Sequence, residues 1–518
     1  MKVTSIGSKK KAAHRHVTVN SAINNRKADL GEGTGASIYL ISGVLSLMLS
    51  AWCAWADSVP NADGALYLRA AEFLARGDWY HARALYGWPF YSLVIAQIMT
   101  ATGLNALLSA QIANAFFATI ATLAFVGIAN RLSGRDLLVA ACAAAIVLLN
   151  PELAQMRAAV IRDNGYLCFF LCALYFVARD VSERRVGNKI AAAAAILVSA
   201  LFRIEGFFVF VLALLFYLSE HGGRWRPYLV AGAVCVFGLL LVPGVLLWDY
   251  VRAGPPVGAV TEQWKTLQAA LDFRLHLIRD ELLRPWGGGN SWGAYIGMVA
   301  GIVTVNTVRA ITIPFGILVL LSFLFSSKLA APQKRFILWF SAGQLPLLFA
   351  STFVHLLLDK RYAMSASLVL AIAPAFLFAQ AIRDWSVHRL AKPFLIAATL
   401  AIAAAWLIGV PKPSRLTYLK TAGEWIAANV PADARLLTND SRIAYFSGRA
   451  YREQTRLWTE ASAPLPDPEL KKFEYFALVS PAANEFPQPI PRVPDARLVR
   501  SFPGGEDQVL IYKNDHAN

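Results

Sequence analysis

The chain has 518 residues, of which 57% are hydrophobic and only 16% are charged. A chain this long and this apolar exceeds what one soluble core holds, so the composition excludes an ordinary soluble protein and predicts a membrane protein. Lysine and arginine outnumber aspartate and glutamate by 49 to 33, an excess of +16. These basic residues lie between apolar runs and do not form one face, so the charge indicates membrane topology and not a nucleic-acid partner.

The metal and cofactor motifs of common enzyme classes are absent from the sequence. No His, Cys, Asp and Glu cluster has metal-ligand spacing, and there is no phosphate-binding GxxxxGK[ST] loop, GxSxG elbow or HExxH helix. All five cysteines lie in apolar segments, where packing is the expected role. We therefore expect no metal site and no cofactor. The cysteines are Cys53, Cys142, Cys168, Cys172 and Cys235.

Apolar stretches of bilayer-spanning length recur up to residue 410 and predict an all-α polytopic module of about eleven spans. Residues 1–36 form a basic arm that we expect to stay in the cytoplasm, and the first span is expected to remain as an uncleaved anchor. The predicted spans are 37–56, 106–130, 136–154, 164–179, 189–202, 206–219, 228–249, 310–327, 336–355, 363–382 and 394–410.

Lysine and arginine in the short connections fix the predicted orientation, because cytoplasmic loops collect basic residues. The opposite, outer side then receives a long loop over residues 57–105 and the tail after residue 410. Within that loop, the sequence predicts a helix from Asp63 to Arg76 and an interfacial helix from Trp88 to Thr100. A second candidate for an interfacial helix, later in the chain, is the stretch from Trp292 to Val308. Residues 411–518 predict a small α/β domain, with a helix over 421–429 and strands over 435–438, 475–479 and 509–512.

Charged residues at the outer ends of the predicted spans are the candidates for chemistry, since an ion there is costly unless it is paired or wet. Asp63 is either a helix N-cap or a general base for an acceptor hydroxyl. Asp163 either pairs with its neighbour Arg162, or orients the acceptor or a basic partner while Arg162 faces a phosphate. The candidates are Asp63, Arg162, Asp163, Arg203, Glu205, His355, Lys360, Arg361 and Tyr362.

Two interpretations are also open for the candidate residues later in the chain. Arg203 and Glu205 form either a mutual ion pair at a chain reversal or, through Arg203, a contact to a phosphate. Lys360 and Arg361 are either interfacial snorkelling residues or, with Tyr362 and His355, a phosphate clamp. Fixed cations would stabilise the negative charge that grows on a departing phosphate.

The order of short motifs along the chain resembles the GT-C superfamily, in particular bacterial relatives of protein O-mannosyltransferases and of the aminoarabinose transferase that modifies lipid A. The matching motifs are Asn61-Ala62-Asp63-Gly64-Ala65-Leu66-Tyr67-Leu68, Gly77-Asp78-Trp79, Trp88-Pro89-Phe90-Tyr91, Arg131-Leu132-Ser133-Gly134-Arg135, Leu149-Asn150-Pro151, Arg162-Asp163, Arg203-Ile204-Glu205-Gly206, Arg361-Tyr362, and Glu424-Trp425-Ile426 through Ser447-Gly448-Arg449.

The resemblance implies a polyprenyl-phosphate-linked sugar donor, inverting transfer, and a base carboxylate in the first outer loop, which matches Asp63. Members of the superfamily often carry a second acidic residue directly after the first, whereas this chain has Gly64. We therefore expect Asp163 to supply any second carboxylate. The carry-over to Arg203, His355, Lys360 and Arg361 is weaker, because phosphate-binding positions vary more across such enzymes.

The sequence therefore predicts a multi-pass inner-membrane glycosyltransferase, with a cytoplasmic N-terminus and a periplasmic C-terminal domain. Its partners would be a lipid-linked sugar donor and an acceptor that is an envelope lipid, glycan or protein. Two alternatives stay open at this point. A transporter or flippase of lipid-linked sugars would have polar residues deep in several spans and no need for Asp63, and a ligase for O-antigen or wall polymer would differ mainly in the size of its donor.

Overall fold

A computed structural model describes residues 35–221, 258–284, 290–327, 329–356, 358–412, 416–449, 472–481 and 496–514. Within these ranges, seven helices are long and apolar enough to cross a membrane, or eight if one bent pair counts as a single span. The chain is therefore a multi-pass membrane protein. The expected count of about eleven spans stays a prediction, because most of the basic arm, the predicted span 228–249 and Cys235 lie outside the described residues.

The first half of the chain folds into ten described helices. They are α1 Gly35–Ala56, α2 Ala62–Ala75, α3 Trp79–Leu85, α4 Phe90–Thr102, α5 Ala106–Leu132, α6 Leu137–Leu148, α7 Pro151–Ala158, α8 Asp163–Glu183, α9 Val186–Phe202 and α10 Gly206–His221.

Eight further helices follow before the soluble tail, with a short π-helix at Ile278–Leu282 and 3₁₀ turns at Lys360–Ala363 and Asp384–Ser386. They are α11 Gly258–Leu277, α12 Ser291–Ile311, α13 Ile313–Phe325, α14 Ala331–Ala342, α15 Leu345–His355, α16 Met364–Leu370, α17 Ala373–Arg383 and α18 Ala391–Gly409.

The predicted span 136–154 is two helices, because α6 and α7 meet at a bend of 55°. Pro151 cannot donate a backbone hydrogen bond and restricts the residue before it, so α6 ends and α7 begins there. The Asn150 side chain accepts a hydrogen bond from the Leu153 N–H and caps the new helix. The bend leaves a short connection, residues 159–162, that leads directly into α8.

One other prediction differs in detail from the structure. The stretch from Trp292 to Val308, expected at the interface, lies in α12, which has 21 residues and is apolar enough to span the membrane. The predicted short segments 189–202 and 206–219 are present as two separate helices, α9 and α10, divided at residues 203–205. The two helices predicted between residues 57 and 105 are also present, as α2 and α4.

Helix α8 is the centre of the bundle and packs against α5 and α9. Small residues permit this close packing. A Cβ atom at Gly127 of α5 would lie 2.8 Å from the Tyr175 ring of α8, and one at Gly165 of α8 would overlap the Phe202 ring of α9. Glycine at helix contacts lets two backbones approach, as is typical of helices packed in membranes.

The predicted inner and outer residues collect at opposite ends of the bundle. At the end predicted to be cytoplasmic, Arg383 pairs with Asp136 at 2.5 Å and Arg131 pairs with Glu183 at 2.6 Å. The span that ends near Arg383 begins near Arg361, which lies with the predicted outer residues. The two ends are therefore consistent with the alternation inferred from the loops.

The C-terminal part is a small α/β unit, as predicted. Its elements are α19 Thr417–Asn429, β1 Leu436–Thr438, α20 Ser441–Phe446, β2 Tyr475–Pro481, β3 Ala496–Pro503 and β4 Asp507–Asn514. The sheet order is β1-β2-β4-β3, with β1 parallel to β2 and the other pairs antiparallel. Strand β3 was not predicted, because most of its side chains are exposed and the run lacks apolar alternation.

This unit contacts α2, the helix that begins with Ala62 and Asp63. The Ser441 hydroxyl of α20 donates a hydrogen bond to the Ala62 carbonyl at 2.8 Å. From the other side, the Arg69 guanidinium of α2 donates to the Gly448 carbonyl at 3.1 Å. The C-terminal unit is thus attached to α2.

Arg449 stabilises the part of the soluble unit that follows α19. Its guanidinium donates hydrogen bonds to four backbone carbonyls at the end of that helix and beyond, including Val430 at 3.0 Å and Ala434 at 2.9 Å. A cation at a helix C-terminus also interacts favourably with the helix dipole.

We expect Arg449→Met to lower the free energy of unfolding of this unit by about 2 kcal/mol, the order found for hydrogen bonds from charged donors. Urea unfolding in detergent, followed by proteolysis of the tail, measures the change. Arg497→Met, which removes an exposed arginine on β3, serves as the control and should change little. Equal shifts for the two variants would contradict the role of Arg449.

Candidate functional site

Charged side chains from four distant segments meet at one end of the bundle. Asp63 lies in the first turn of α2, and Asp163 is the first residue of α8. Arg203 and Glu205 lie in the break between α9 and α10. Arg361 lies in the 3₁₀ turn that opens a late span. Because these segments are up to 298 residues apart, the fold and not local sequence brings them together.

Asp63 is the accessible carboxylate of the group. Its Oδ2 atom accepts a hydrogen bond from Arg361 Nη1 at 3.0 Å, and 45% of its side chain is exposed. A carboxylate in the first turn of a helix also lies at the positive end of the helix dipole, a favourable position for an acidic side chain. Asp63 is therefore held by one oxygen and reachable from outside.

Arg203 is buried between two carboxylates. Its guanidinium pairs with Asp163, and its Nε donates to Glu205 Oε2 at 3.2 Å. Only 4% of each of the Arg203 and Asp163 side chains is exposed. The guanidinium carbon also lies 4.3 Å from the Tyr362 ring centre and 5.6 Å from that of Tyr166, which adds cation–π attraction. The expected pair of Arg203 with Glu205 is present, with Asp163 as a third member.

Arg361 and Tyr362 connect this buried group to Asp63. The charges of both Asp163 and Asp63 interact with Arg361. Tyr362 lies between the two arginines, since its ring centre is 4.3 Å from the Arg203 guanidinium and 5.6 Å from that of Arg361. The two acids and two arginines therefore form one connected electrostatic unit.

Arg162 differs from the other cations of the site. Its guanidinium lies 5.7 Å from the Tyr86 ring centre and within electrostatic reach of Glu205 and Tyr67. Among the described residues, none forms a hydrogen bond or ion pair with the Arg162 guanidinium, although the Arg162 backbone carbonyl accepts from the Tyr166 N–H. The local pair of Arg162 with Asp163, one of the two sequence readings, is absent because Asp163 pairs with Arg203. Arg162 therefore retains N–H donors for another partner.

Lys360 lies beside the site but is directed at α7. Its ammonium pairs with Glu152 Oε2 at 2.6 Å and donates to Gln155 Oε1 at 2.9 Å. Lys360 and Arg361 thus have different partners. His355 is the last residue of α15, and its side chain lies outside the described part of the chain.

Several site residues were missed from the sequence. Glu152, the partner of Lys360, follows the Asn150-Pro151 pair directly, and a carboxylate beside a helix break was the available signal. Tyr86 and Tyr166, whose rings face Arg162 and Arg203, gave no such signal, because aromatic residues are common in spans and at interfaces. Tyr67 is buried close to Asp63 and Arg162, and burial raises the pKa of its hydroxyl, which therefore stays protonated and able to donate a hydrogen bond.

Among the described residues, no group of three or more His, Cys, Asp and Glu side chains is arranged to hold a metal ion. Three arginines and Lys360 lie among the carboxylates of Asp63, Asp163, Glu205, Glu152 and Asp359, the last with its Oδ2 atom 3.7 Å from Arg361 Nε. This arrangement is suited to binding an anion and accepting a proton.

Comparisons with known proteins give matches only at the level of structure. No protein-family model and no curated protein sequence matches the chain. The apo crystal structure of ArnT from Cupriavidus metallidurans is similar with a TM-score of 0.51 and 14% sequence identity, over 95% of this chain and 98% of that one.

A second similar structure is the archaeal oligosaccharyltransferase AglB from Archaeoglobus fulgidus, in complex with an inhibitory peptide and a dolichol-phosphate. It aligns with a TM-score of 0.51 and 12% identity, over 86% of this chain and 69% of that one. ArnT and AglB both belong to the GT-C superfamily. The predicted resemblance is thereby confirmed at the level of the fold, which this chain shares with both structures.

Proposed function

We propose that this protein is an inverting glycosyltransferase of the bacterial inner membrane. It takes a sugar from a polyprenyl-phosphate carrier and transfers it, on the periplasmic face, to an envelope lipid, glycan or protein. The observation that carries the proposal is the meeting of Asp63, Arg361, Arg162 and the Asp163–Arg203 pair at one end of the bundle. The dolichol-phosphate bound to AglB supports a lipid-phosphate donor for this fold.

Asp63 is the general base in this mechanism. Arg361 donates a hydrogen bond to its Oδ2 atom, while Oδ1 makes no hydrogen bond to a described residue and 45% of the side chain is exposed. Oδ1 takes the proton of an acceptor hydroxyl as the oxygen attacks the anomeric carbon of the sugar. Arg361 keeps the carboxylate oriented before the acceptor arrives.

Arg162 is the principal contact for the donor phosphate. As the glycosidic bond breaks, negative charge grows on the departing phosphate, and a fixed cation stabilises that charge more in the transition state than in the ground state. Arg203 is committed to Asp163 and Glu205, and Lys360 to Glu152. Among the described residues, no partner accepts a hydrogen bond from the Arg162 guanidinium. Its N–H groups can therefore bind two phosphate oxygens at once.

Asp163 orients the basic residues of the site and does not contact the acceptor. It is nearly fully buried, pairs with Arg203 and acts on Arg361. This corresponds to the sequence reading in which Asp163 orients a basic partner near the catalytic carboxylate. Glu205 is the second carboxylate of this buried group, in which one guanidinium faces two carboxylates.

The geometry favours an enzyme over a flippase of lipid-linked sugars. A flippase has no need of an accessible carboxylate held by an arginine, whereas Asp63 has that environment. A ligase of O-antigen or wall polymer shares the same chemistry and differs in donor size. Transfer from monosaccharide and polymer donors in parallel therefore separates these two enzyme classes.

We expect Asp63→Asn to lower kcat by about 10²- to 10⁴-fold, the range for loss of a general base, while the protein remains folded. The measurement is sugar transfer in proteoliposomes from a panel of polyprenyl-phosphate sugars. Asp78→Asn is a matched control, because Asp78 is an exposed carboxylate that caps α3 in the same loop. Undiminished transfer by Asp63→Asn would end the assignment of the base.

We expect Arg162→Met to raise the KM for the donor and to lower kcat/KM by about 10- to 10³-fold, since it removes a charge-assisted contact to phosphate worth a few kcal/mol. Arg162→Lys should recover part of this loss, because it keeps the charge without the paired donors. Arg76→Met, at an exposed arginine of the same loop, is the control. A kcat/KM equal to that of the wild type would contradict the phosphate contact.

Arg203→Met should lower the free energy of unfolding by about 3–5 kcal/mol, because it leaves the buried Asp163 carboxylate unpaired. The double variant Arg203→Met with Asp163→Leu should recover part of that stability, since only Glu205, whose side chain is 21% exposed, is then left without its partner. Denaturant unfolding in detergent measures both. A loss below about 1 kcal/mol for the single variant would show that Arg203 is not needed to neutralise Asp163.

A further inference from the structure

Asn61, two residues before Asp63, has a conformation that its position does not predict. It is the N-cap residue of α2, where an asparagine side chain ordinarily accepts a hydrogen bond from its own helix. The Asn61 side chain makes no such bond. Its Oδ1 atom accepts instead from the backbone N–H of Val160 at 2.9 Å, across 99 residues of sequence. Helix α2 therefore lacks a side-chain N-cap hydrogen bond, and the Asn61 side chain instead contacts the connection between α7 and α8.

Gly64 permits this contact. A Cβ atom at position 64 would lie 2.7 Å from Asn61 Oδ1, 2.9 Å from Val160 Cβ and 3.1 Å from the Val160 carbonyl oxygen. Distances below 3.0 Å require a neighbour to move, so any larger residue separates the start of α2 from Val160. A second carboxylate directly after Asp63 would therefore disturb this contact. We call Asn61, Gly64 and Val160 the Asn61 junction.

The other side of the junction is held firmly in place. Asn114 of α5 donates to the Ala159 carbonyl at 2.8 Å and accepts from the Tyr91 hydroxyl at 2.8 Å. Asn164 of α8 donates to the Met156 carbonyl at 2.8 Å. Three asparagines thus contact the backbone of residues 156–160, and Arg162 and Asp163 follow directly.

Arg157 fixes α7 itself. Its guanidinium is buried and donates to hydroxyls of α1 and α5, at 2.8 Å to Ser46, 2.9 Å to Ser50 and 2.9 Å to Thr122. The direction of α7, and with it the position of residue 160, is therefore set by two neighbouring helices. The hydrogen bond that the Val160 N–H donates to Asn61 Oδ1 therefore fixes the start of α2 relative to α7.

On the basis of the function proposed above, we propose that Asn61 is a positioning residue that sets the distance from the Asp63 carboxylate to Arg162 and Asp163. The base and the phosphate contact belong to segments about 100 residues apart, and both must meet one sugar. A displacement of about 1 Å in such an arrangement costs up to about 100-fold in rate. The Asn61 side chain accepts a hydrogen bond that joins the two segments directly, from the Val160 N–H.

The test compares Asn61→Ala with Asn105→Ala, in which an asparagine that does cap its own helix, α5, is removed. We expect Asn61→Ala to lower kcat by about 10- to 100-fold while the donor KM changes less than about 3-fold, because Arg162 still binds phosphate. Asn105→Ala should retain wild-type kcat. Asn61→Asp keeps an acceptor oxygen for Val160 and should be at least about 10-fold faster than Asn61→Ala. Gly64→Ala should resemble Asn61→Ala.

A second measurement is independent of turnover. Hydrogen–deuterium exchange of the peptide that covers residues 159–162 should be faster in Asn61→Ala than in the wild type, and unchanged in Asn105→Ala. Unaltered exchange, or an Asn61→Asp variant no faster than Asn61→Ala, would overturn the positioning role. If wild-type protein transfers sugar and Asn61→Ala does so equally well, only this role fails, whereas a wild type inactive with every donor refutes the proposed function as well.

Discussion

The pairing of Arg203 with Asp163 and Glu205 is the interaction on which the rest of the site depends. Neither a guanidinium nor a carboxylate is tolerated alone where only 4% of the side chain is exposed, so the break between α9 and α10 and the start of α8 must meet. Once they meet, Tyr362 packs against Arg203 and brings Arg361 to Asp63. The buried Arg203–Asp163 pair thus fixes the segments that carry Asp63 and Arg162.

The sequence predicted the main elements of this arrangement because the relevant signals are strong and local. Long apolar runs, basic loops and ions at span ends follow from the cost of placing charge in a bilayer, and they correctly indicated Asp63, Asp163, Arg203 and Arg361 as residues that meet. The order of short motifs identified the GT-C fold, although identity to the similar structures is only 12–14%.

What the sequence left open was which charge pairs with which. Adjacent residues such as Arg162 and Asp163 invite a local pair, yet the first turn of α8 directs them to different partners, a result of packing that no spacing rule contains. Lys360 and Arg361 separate in the same way. The bend at Pro151 was visible as a residue, but its 55° angle depends on Arg157 and the helices that hold α7.

The attachment of the soluble unit to α2 has a consequence for divergence among related chains. Ser441 and Arg69 both bind main-chain carbonyls, of Ala62 and Gly448, so each contact specifies a side chain on one partner only. Substitutions at position 62 that preserve the backbone path leave its bond intact, whereas position 448, with a φ of 69°, favours glycine. The other exposed residues of the unit, and the molecules that contact them, can therefore differ between related chains while the attachment to α2 is retained.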